Sequence, residues 1–179
     1  MRLLLLRHAK SDWSGHSDDH DRTLSARGRK AVPRIGAFMH KKGYEPARIL
    51  CSTSKRTRQT LELLQLHLGG SAKVEYDRAL YLAEWPVLLA EIRAAPADAS
   101  PLLLIGHNPG MEQLALALAL QPQTPAEQAR VENLAQKFPT GALAVLDFEI
   151  ADWGEVKRES GRLIDYVRPK DLRQRSEDE

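Results

Sequence analysis

The fold is decided by the stretch Arg2-Leu3-Leu4-Leu5-Leu6-Arg7-His8-Ala9, in which four consecutive leucines end on an arginine and a histidine. A short, unbroken apolar run of this kind is typical of a strand buried on both faces, as strands of parallel sheets are. Similar runs at 48–51 and 102–105 also pass directly into polar or glycine-containing turns. Because segments with helical spacing separate these runs, the pattern predicts alternating strands and helices.

The remaining segments complete a predicted three-layer α/β sandwich. Helices are predicted over 26–42, from about 55 to 67, over 85–93 and from 109 to 120, with a short polar helix between 121 and 139. A short strand is predicted over 74–76, and alternation over 142–150, 155–159 and 163–167 predicts antiparallel strands at the C-terminal edge. We therefore predict a mixed, mainly parallel sheet with helices on both faces, in one domain over 1–170, followed by a charged, frayed tail over 171–179.

Charge is distributed unevenly along the chain. Residues 1–60 hold 14 basic and 5 acidic side chains, whereas residues 61–179 hold 12 basic and 19 acidic ones. The basic first third predicts an anionic partner. Aromatic residues are not interleaved with these basic residues, and this argues against nucleic acid as that partner. A single cysteine, and no apolar run near the roughly 18 residues of a membrane span, predict a cytoplasmic protein that neither forms an internal disulfide nor enters a membrane.

Polar residues follow three of the predicted strands at their carboxyl ends. These are Arg7-His8, the segment 52–56 that includes Arg56, and His107-Asn108. Ligands of open α/β sheets bind outside the carboxyl ends of the strands, so these residues form the candidate site.

Two histidines and two arginines beside helix N-termini suit a tetrahedral oxyanion such as phosphate. Catalysis requires one neutral imidazole whose free nitrogen attacks phosphorus while the other nitrogen donates to a carbonyl. We assign this part to His8, because flanking cations lower an imidazole pKa and also neutralise phosphoryl oxygens. His107 is then expected to donate to the transferring group.

Four motifs in order resemble the histidine phosphatase (phosphoglycerate mutase-like) superfamily, and most closely its SixA-like phosphohistidine phosphatase branch. The motifs are Leu5-Leu6-Arg7-His8-Ala9; Arg22-Thr23-Leu24-Ser25 with Gly28; Cys51-Ser52 followed by Arg56-Thr57-Arg58-Gln59-Thr60; and Gly106-His107-Asn108-Pro109-Gly110. The later Phe138-Pro139-Thr140-Gly141 segment and Trp153 also resemble that branch. Ala9 stands where most of the superfamily has glycine, as in the SixA-like group, and this argues against a mutase.

The resemblance implies a role for each matching residue. It makes His8 the nucleophile that becomes phosphorylated, and it places Arg7, Arg56 and His107 in the phosphate pocket. Substrate contacts are implied for Arg22, Ser11, Ser14 and Asn108. Glu84 is a candidate counterpart of the proton donor that alkyl phosphates require. No metal and no cofactor are implied, and the expected substrate is phosphohistidine on a protein.

Other interpretations stay open on the residues alone. Small phosphomonoesters are alternative substrates, and a phosphate-binding module without turnover is an alternative function. Cys51 does not fit a cysteine phosphatase, which needs five residues between its cysteine and arginine, because position 57 is threonine and Arg56 comes one residue early. The loop residues His16, Asp18, Asp19, His20 and Asp21 can be drawn as a metal cluster, although such acidic loops are usually solvated. Oligomeric state is not predicted.

Overall fold

A computed structural model of the chain describes residues 1–174 and confirms the predicted three-layer α/β sandwich. The strands are β1 Arg2–Arg7, β2 Arg48–Ser52, β3 Lys73–Asp77, β4 Leu102–Gly106, β5 Leu143–Phe148 and β6 Gly161–Val167. The helices are α1 Ala26–Lys42, α2 Lys55–Gln65, α3 Trp85–Arg93, α4 Gly110–Leu118, α5 Pro125–Gln136 and α6 Asp171–Gln174. One open sheet has the order β3-β2-β4-β1-β5-β6, in which β5 runs antiparallel to both of its neighbours, β1 and β6, and the other neighbouring pairs are parallel.

Strand β1 lies inside the sheet, and its alternate leucines belong to opposite cores. Leu3 and Leu5 pack with apolar residues of α3, α4 and α5, whereas Leu4 and Leu6 pack with those of α1 and α2. All four side chains are at most 1% exposed. Because side chains alternate across a strand, burial on both faces requires an unbroken apolar run, which explains the four leucines.

The predicted strand over 155–159 is wrong. The chain there forms a short 3-10 turn, Trp153–Glu155, and continues as a loop whose Glu159 amide donates to the Ala117 carbonyl at 2.9 Å. The Asp152 side chain accepts a hydrogen bond from the Gly154 amide, and the Glu155 side chain accepts one from the Asp152 amide. These local caps compete successfully with strand formation, while the fully buried Trp153 anchors the turn by donating from its indole N–H to the Ala99 carbonyl at 3.1 Å.

Several boundaries differ slightly from the prediction. Helix α2 ends at Gln65 rather than 67, α4 ends at Leu118 rather than 120, and β5 is shorter than the predicted 142–150. Of the predicted frayed tail, 171–174 form α6, and 175–179 lie outside the described residues. Within 1–174, no helix is both long and apolar enough to cross a membrane.

Sheet register brings the candidate residues to one edge. Arg7 of β1 pairs with Gly106 of β4, so the residues that follow each strand emerge side by side. The loop after β1 then turns back on itself: the Asp12 amide donates to the Thr23 carbonyl and the Ser25 amide donates to the Lys10 carbonyl. This pairing holds the loop against the start of α1.

Gly28 allows this close approach, and we predict that Gly28→Ala destabilises the protein. A Cβ atom at position 28 would lie 2.2 Å from the backbone oxygen of Lys10, which cannot move without disturbing the adjacent His8 and Ala9. Forcing atoms into a packed site typically costs about 1–3 kcal/mol. Urea unfolding measures this loss. The control is Gly15→Ala, whose Cβ would meet nothing nearer than 4.0 Å, and equal stabilities of the two variants would contradict the prediction.

Candidate active site

His8 and His107 lie next to each other at the carboxyl ends of β1 and β4. Their ring centroids are 5.3 Å apart, and the His8 amide donates to the Gly106 carbonyl at 3.1 Å. Both side chains are buried, with 6% and 2% of their surface exposed. The parallel pairing of β1 with β4 is therefore the direct cause of the histidine pair.

The partners of His8 assign its tautomer. Nδ1 lies 2.7 Å from the Ala9 carbonyl oxygen, which can only accept, so Nδ1 carries the hydrogen. Nε2 faces the Nε–H of Arg56 at 3.4 Å, and because a guanidinium can only donate, Nε2 presents its lone pair. The imidazole is thus held in the form that a nitrogen nucleophile needs, with the carbonyl contact that the sequence led us to expect.

The guanidinium of Arg56 joins the parts of the site. It lies in the first turn of α2, a helix capped by Ser54, and it is 1% exposed. Nη1 donates to the Asp19 carbonyl oxygen at 2.6 Å, and Nη2 donates to the Asp19 carboxylate at 3.0 Å and faces Nδ1 of His107 at 3.3 Å. Its planar fork of donors therefore spans both imidazoles and the loop after β1.

Ser52 orients His107 from behind. Its hydroxyl lies 2.8 Å from Nε2 of His107, while Nδ1 of the same ring faces Arg56. Since Arg56 can only donate, the hydrogen of the neutral ring is on Nε2 and is donated to Ser52. The opposite tautomer of His107 is also possible, because the Ser52 hydroxyl can donate to Nε2 instead of accepting from it. If another acceptor lies between Arg56 and His107, the hydrogen on Nδ1 can then be donated to that acceptor.

Arg7 has donors left over. Its Nη1 donates to the Phe138 carbonyl at 2.9 Å, but its buried Nε has no hydrogen-bond partner within the described residues. The segment before β5 clamps the strand end, because the Gly141 amide lies 3.1 and 3.0 Å from the carbonyl oxygens of Arg7 and His8. Buried donors are nearly always paired in proteins, so this Nε is a donor that the candidate site can offer to a ligand.

Asp19 and Tyr81 belong to the site, although sequence reasoning did not select either residue. The Asp19 carboxylate accepts from Arg22 Nη2 at 2.7 Å, from Arg56 Nη2, and from the Tyr81 hydroxyl. Tyr81 also packs its ring edge-on to His107, with centroids 5.4 Å apart. Asp19 lies three residues before Arg22, and this spacing was the sequence feature that could have indicated their ion pair. Because Asp19 stands among other acidic loop residues, it resembled a solvated side chain.

The substrate contacts predicted at Ser11, Ser14, Arg22 and Asn108 are only partly brought together. Arg22 donates to the hydroxyl of Ser11, which is buried, and the Nε of Arg22 has no partner in the described part of the chain. Asn108 donates to the same Phe138 carbonyl as Arg7, at 2.9 Å, and thereby supports that wall. Ser14 is exposed, and both its amide and hydroxyl donate to Asp12 instead.

Glu84 lies at the start of α3. It is exposed and makes no capping hydrogen bond with its side chain. The carbonyl oxygen of the preceding Ala83 would lie 2.1 Å from a Cβ at Gly110, so this segment packs against the start of α4. The segment that carries Glu84 therefore borders the helix that follows His107.

Two other sequence interpretations can be compared with the structure. Cys51 is fully buried in the core behind β2, and burial raises the pKa of its thiol to about 12, so the residue is a protonated core side chain rather than a nucleophile. Within the described part of the chain, no three His, Cys, Asp or Glu side chains gather as metal ligands would. His20 instead contacts the Thr53 hydroxyl at 2.9 Å.

Burial and positive charge keep both imidazoles neutral. Burial is the larger cause and lowers the pKa of His8 to about 3, with further lowering by Arg56, Arg7 and Arg22 and an opposing effect of the bond to Ala9. Burial, then the neighbouring His8 and Arg56, lower the pKa of His107 to about 2. The hydrogen bond from Tyr81 and the charges of Arg22 and Arg56 hold the pKa of Asp19 far below its ordinary value.

Fold and site together define a class of α/β proteins that present histidines and arginines to an anionic group at the carboxyl edge of the sheet. The family model "Histidine phosphatase superfamily (branch 1)" matches residues 3–95. The uncharacterised protein Rv1276c of Mycobacterium tuberculosis is 33% identical over 165 residues, which cover 92% of this chain and 100% of that protein. The chain belongs to the histidine phosphatase superfamily, and to its SixA-like branch.

Two solved structures support this placement within the family. The solved structure of the putative phosphohistidine phosphatase SixA from Nakamurella multipartitia superposes with a TM-score of 0.78 at 31% identity, covering 94% of this chain and 95% of that one. A structure with the same name from Agrobacterium tumefaciens has a TM-score of 0.75 and 32% identity, covering 94% and 97%. Membership supports a hydrolase of the phosphatase type that acts on a phosphorylated partner.

The neutral histidine pair predicts a loss of stability in acid. At pH values between about 6.5 and 3 the unfolded chain binds protons at these two positions and the folded chain does not, so the free energy of unfolding falls as pH falls. The expected fall is roughly 1 kcal/mol per pH unit for each histidine. Urea unfolding at pH 7 and pH 5 should therefore show a smaller acid loss in the double variant His8→Asn/His107→Asn than in the wild type. The control His16→Asn, at an exposed loop position, should keep the wild-type pH slope; the same slope in the double variant would contradict the prediction.

Proposed function

We propose that this protein removes phosphate from phosphohistidine on proteins, through a phosphorylated His8 intermediate and without a metal ion. The observation that carries the proposal is the Nε2 lone pair of His8, held by the Nδ1–H bond to Ala9 and facing the Arg56 guanidinium at 3.4 Å. The names of the two SixA structures, each more than 30% identical to this chain, support the substrate.

In the proposed first step, the phosphoryl group enters between His8 and the guanidinium of Arg56. The His8 Nε2 lone pair forms a bond to phosphorus as the bond from phosphorus to the substrate nitrogen breaks. The departing imidazole takes up a proton from solvent, while Nδ1–H of His8 stays bonded to Ala9. Arg7, Arg56 and His107 stabilise the charge that is spread over the phosphoryl oxygens, which is the larger part of catalysis in phosphoryl transfer.

In the second step, water attacks phosphorus and the bond to His8 Nε2 breaks, which yields inorganic phosphate and restores the neutral imidazole. The arginines supply the positive charge that a metal ion supplies in other phosphatases. The guanidinium groups of Arg22 and Arg56 pair with the carboxylate of Asp19, and Arg7, which also acts on His8, lies near the carboxylate of Glu112. Three cations therefore stand against two carboxylates, which leaves positive charge for a phosphoryl group.

The nucleophile assignment predicts a covalent adduct. Incubation with a labelled phosphodonor should give an acid-labile, alkali-stable adduct in the wild type, with none in His8→Ala or His8→Asn. The asparagine variant keeps a donor able to reach the Ala9 carbonyl, and circular dichroism shows whether each variant is folded. His40→Ala removes an exposed histidine at the end of α1 and should keep the adduct. Turnover that persists in both His8 variants would overturn the assignment, and tight phosphate binding without an adduct or turnover would support the binding-module alternative.

Glu84 bears on the choice between phosphohistidine and alkyl phosphates. Imidazole leaves from phosphorus without help, whereas an alkoxide needs a proton donor worth roughly 10²–10⁴ in rate. We expect Glu84→Gln to change hydrolysis of a phosphohistidine peptide by less than about twofold. A loss confined to sugar phosphates would identify Glu84 as their proton donor, and unchanged rates on all substrates, an aryl phosphate included, would make it structural. A loss on phosphohistidine as large as on sugar phosphates would contradict the expectation.

A further inference from the structure

A basic cavity lies beside the candidate active site and shares Arg7 with it. The cavity has a volume of about 440 Å³, which lies within the range of small-ligand pockets. Among residues 1–174, the charged residues that line it are all cationic: Arg7, Lys10, Arg27, Lys137, Arg168 and Lys170. They come from four segments, namely the end of β1, the start of α1, the end of α5 and the turn after β6.

Only part of this positive charge is neutralised by the protein. Asp171 pairs with Arg168 through two hydrogen bonds of 2.9 and 3.0 Å, and it also lies near Lys170. No carboxylate within the described residues forms an ion pair with Lys10, Arg27 or Lys137, whose side chains are exposed. Unpaired cations around one concave surface attract an anionic partner.

Arg7 connects the cavity with the site of phosphoryl transfer. Its Nη1 donates to the carbonyl of Phe138, between the lining residues Lys137 and Pro139, while its Nε has no partner among residues 1–174. Lys10 follows His8 by two residues along the same loop. Arg7 therefore lies between an anionic group bound in the cavity and a phosphoryl group on His8.

We infer that this basic cavity binds acidic side chains that flank the phosphorylated histidine of a protein substrate. The inference rests on the proposed function and adds a determinant of substrate choice to it. Charge complementarity of this kind gives specificity and faster association, because acidic sequences are attracted and basic ones are repelled.

The arrangement of the cations favours an acidic protein segment over a second phosphate group. A single phosphate is usually held by a few converging donors, such as a forked guanidinium or the amides of a helix N-terminus. Here the unpaired cations are spread around the cavity, and the flexible side chains of Lys10, Arg27 and Lys137 reach it from three segments. Spread-out positive charge suits several carboxylates along a chain.

The test compares two phosphohistidine peptides that differ only in having glutamates or glutamines beside the phosphohistidine. The readout is the ratio of kcat/KM for the two peptides within each enzyme variant. We expect the wild type to prefer the glutamate peptide by about tenfold, mainly through KM, and Arg27→Gln/Lys137→Gln to reduce the preference to about twofold. The matched control Arg29→Gln/Lys30→Gln removes two exposed charges from α1 outside the cavity and should keep the wild-type ratio. Equal ratios in the two double variants would overturn the inference.

A second assay separates failure of the cavity from failure of the proposed substrate. An aryl phosphate reports on the catalytic site in every variant, and the unphosphorylated glutamate and glutamine peptides are added as inhibitors. If no phosphohistidine peptide is hydrolysed, the proposed substrate is wrong. The acidic-segment site is still supported if the glutamate peptide inhibits aryl phosphate hydrolysis more strongly in the wild type and the control than in the cavity variant. If the cavity variant loses only a preference for a sugar bisphosphate over its monophosphate, the acidic-segment inference is overturned.

Discussion

The site depends on a guanidinium group that is almost completely removed from water. Arg56 is 1% exposed, and its donors face Asp19, His8 and His107. The first two of these residues belong to the segment after β1, and His107 follows β4. A buried charge is tolerated only with compensating partners. The loop after β1, the first turn of α2 and the end of β4 are therefore joined at this group, and loss of the Arg56 side chain would leave Asp19 and both imidazoles without their common partner.

One arrangement of charges meets two chemical requirements. The arginines that can hold a negatively charged phosphoryl group also lower the pKa of both imidazoles. The proposed nucleophile, His8, therefore keeps its lone pair beside the same cations that attract its target. Burial acts in the same direction and is the larger cause for both rings. The bond to the carbonyl of Ala9 raises the pKa of His8 and so opposes this effect, but it holds the ring in the tautomer that leaves Nε2 free. Neutrality and orientation thus come from different neighbours.

Local sequence patterns predicted the parts of the molecule that are determined by local physics. Unbroken apolar runs located β1 and β4, and the rule that ligands lie at the carboxyl ends of parallel strands brought His8 and His107 together on the correct edge. Their catalytic roles stay a prediction. The strand expected over 155–159 was wrong because the capping pair of Asp152 and Glu155 is a stronger local preference than alternation.

What the sequence did not predict depends on contacts between distant residues. Asp19 resembled a solvated loop residue, since its partner Arg56 is 37 positions away along the chain. The Phe138 carbonyl, which accepts hydrogen bonds from both Arg7 and Asn108, is a backbone group, so the identity of the residue at this position does not predict these bonds. The basic cavity combines four segments separated by long stretches of chain, so the uneven charge of the first 60 residues indicated only part of it.

The carboxylate of Asp19 has a consequence for the timing of turnover. Because it already accepts hydrogen bonds from Arg22 and Arg56, a phosphoryl group bound at the proposed site would compete with this carboxylate for donors of the same two guanidinium groups. After the proposed hydrolysis, the carboxylate would compete with inorganic phosphate for these donors. An internal carboxylate that returns to the arginines would shorten the residence time of the product, and product release is often the slow step in well-evolved enzymes.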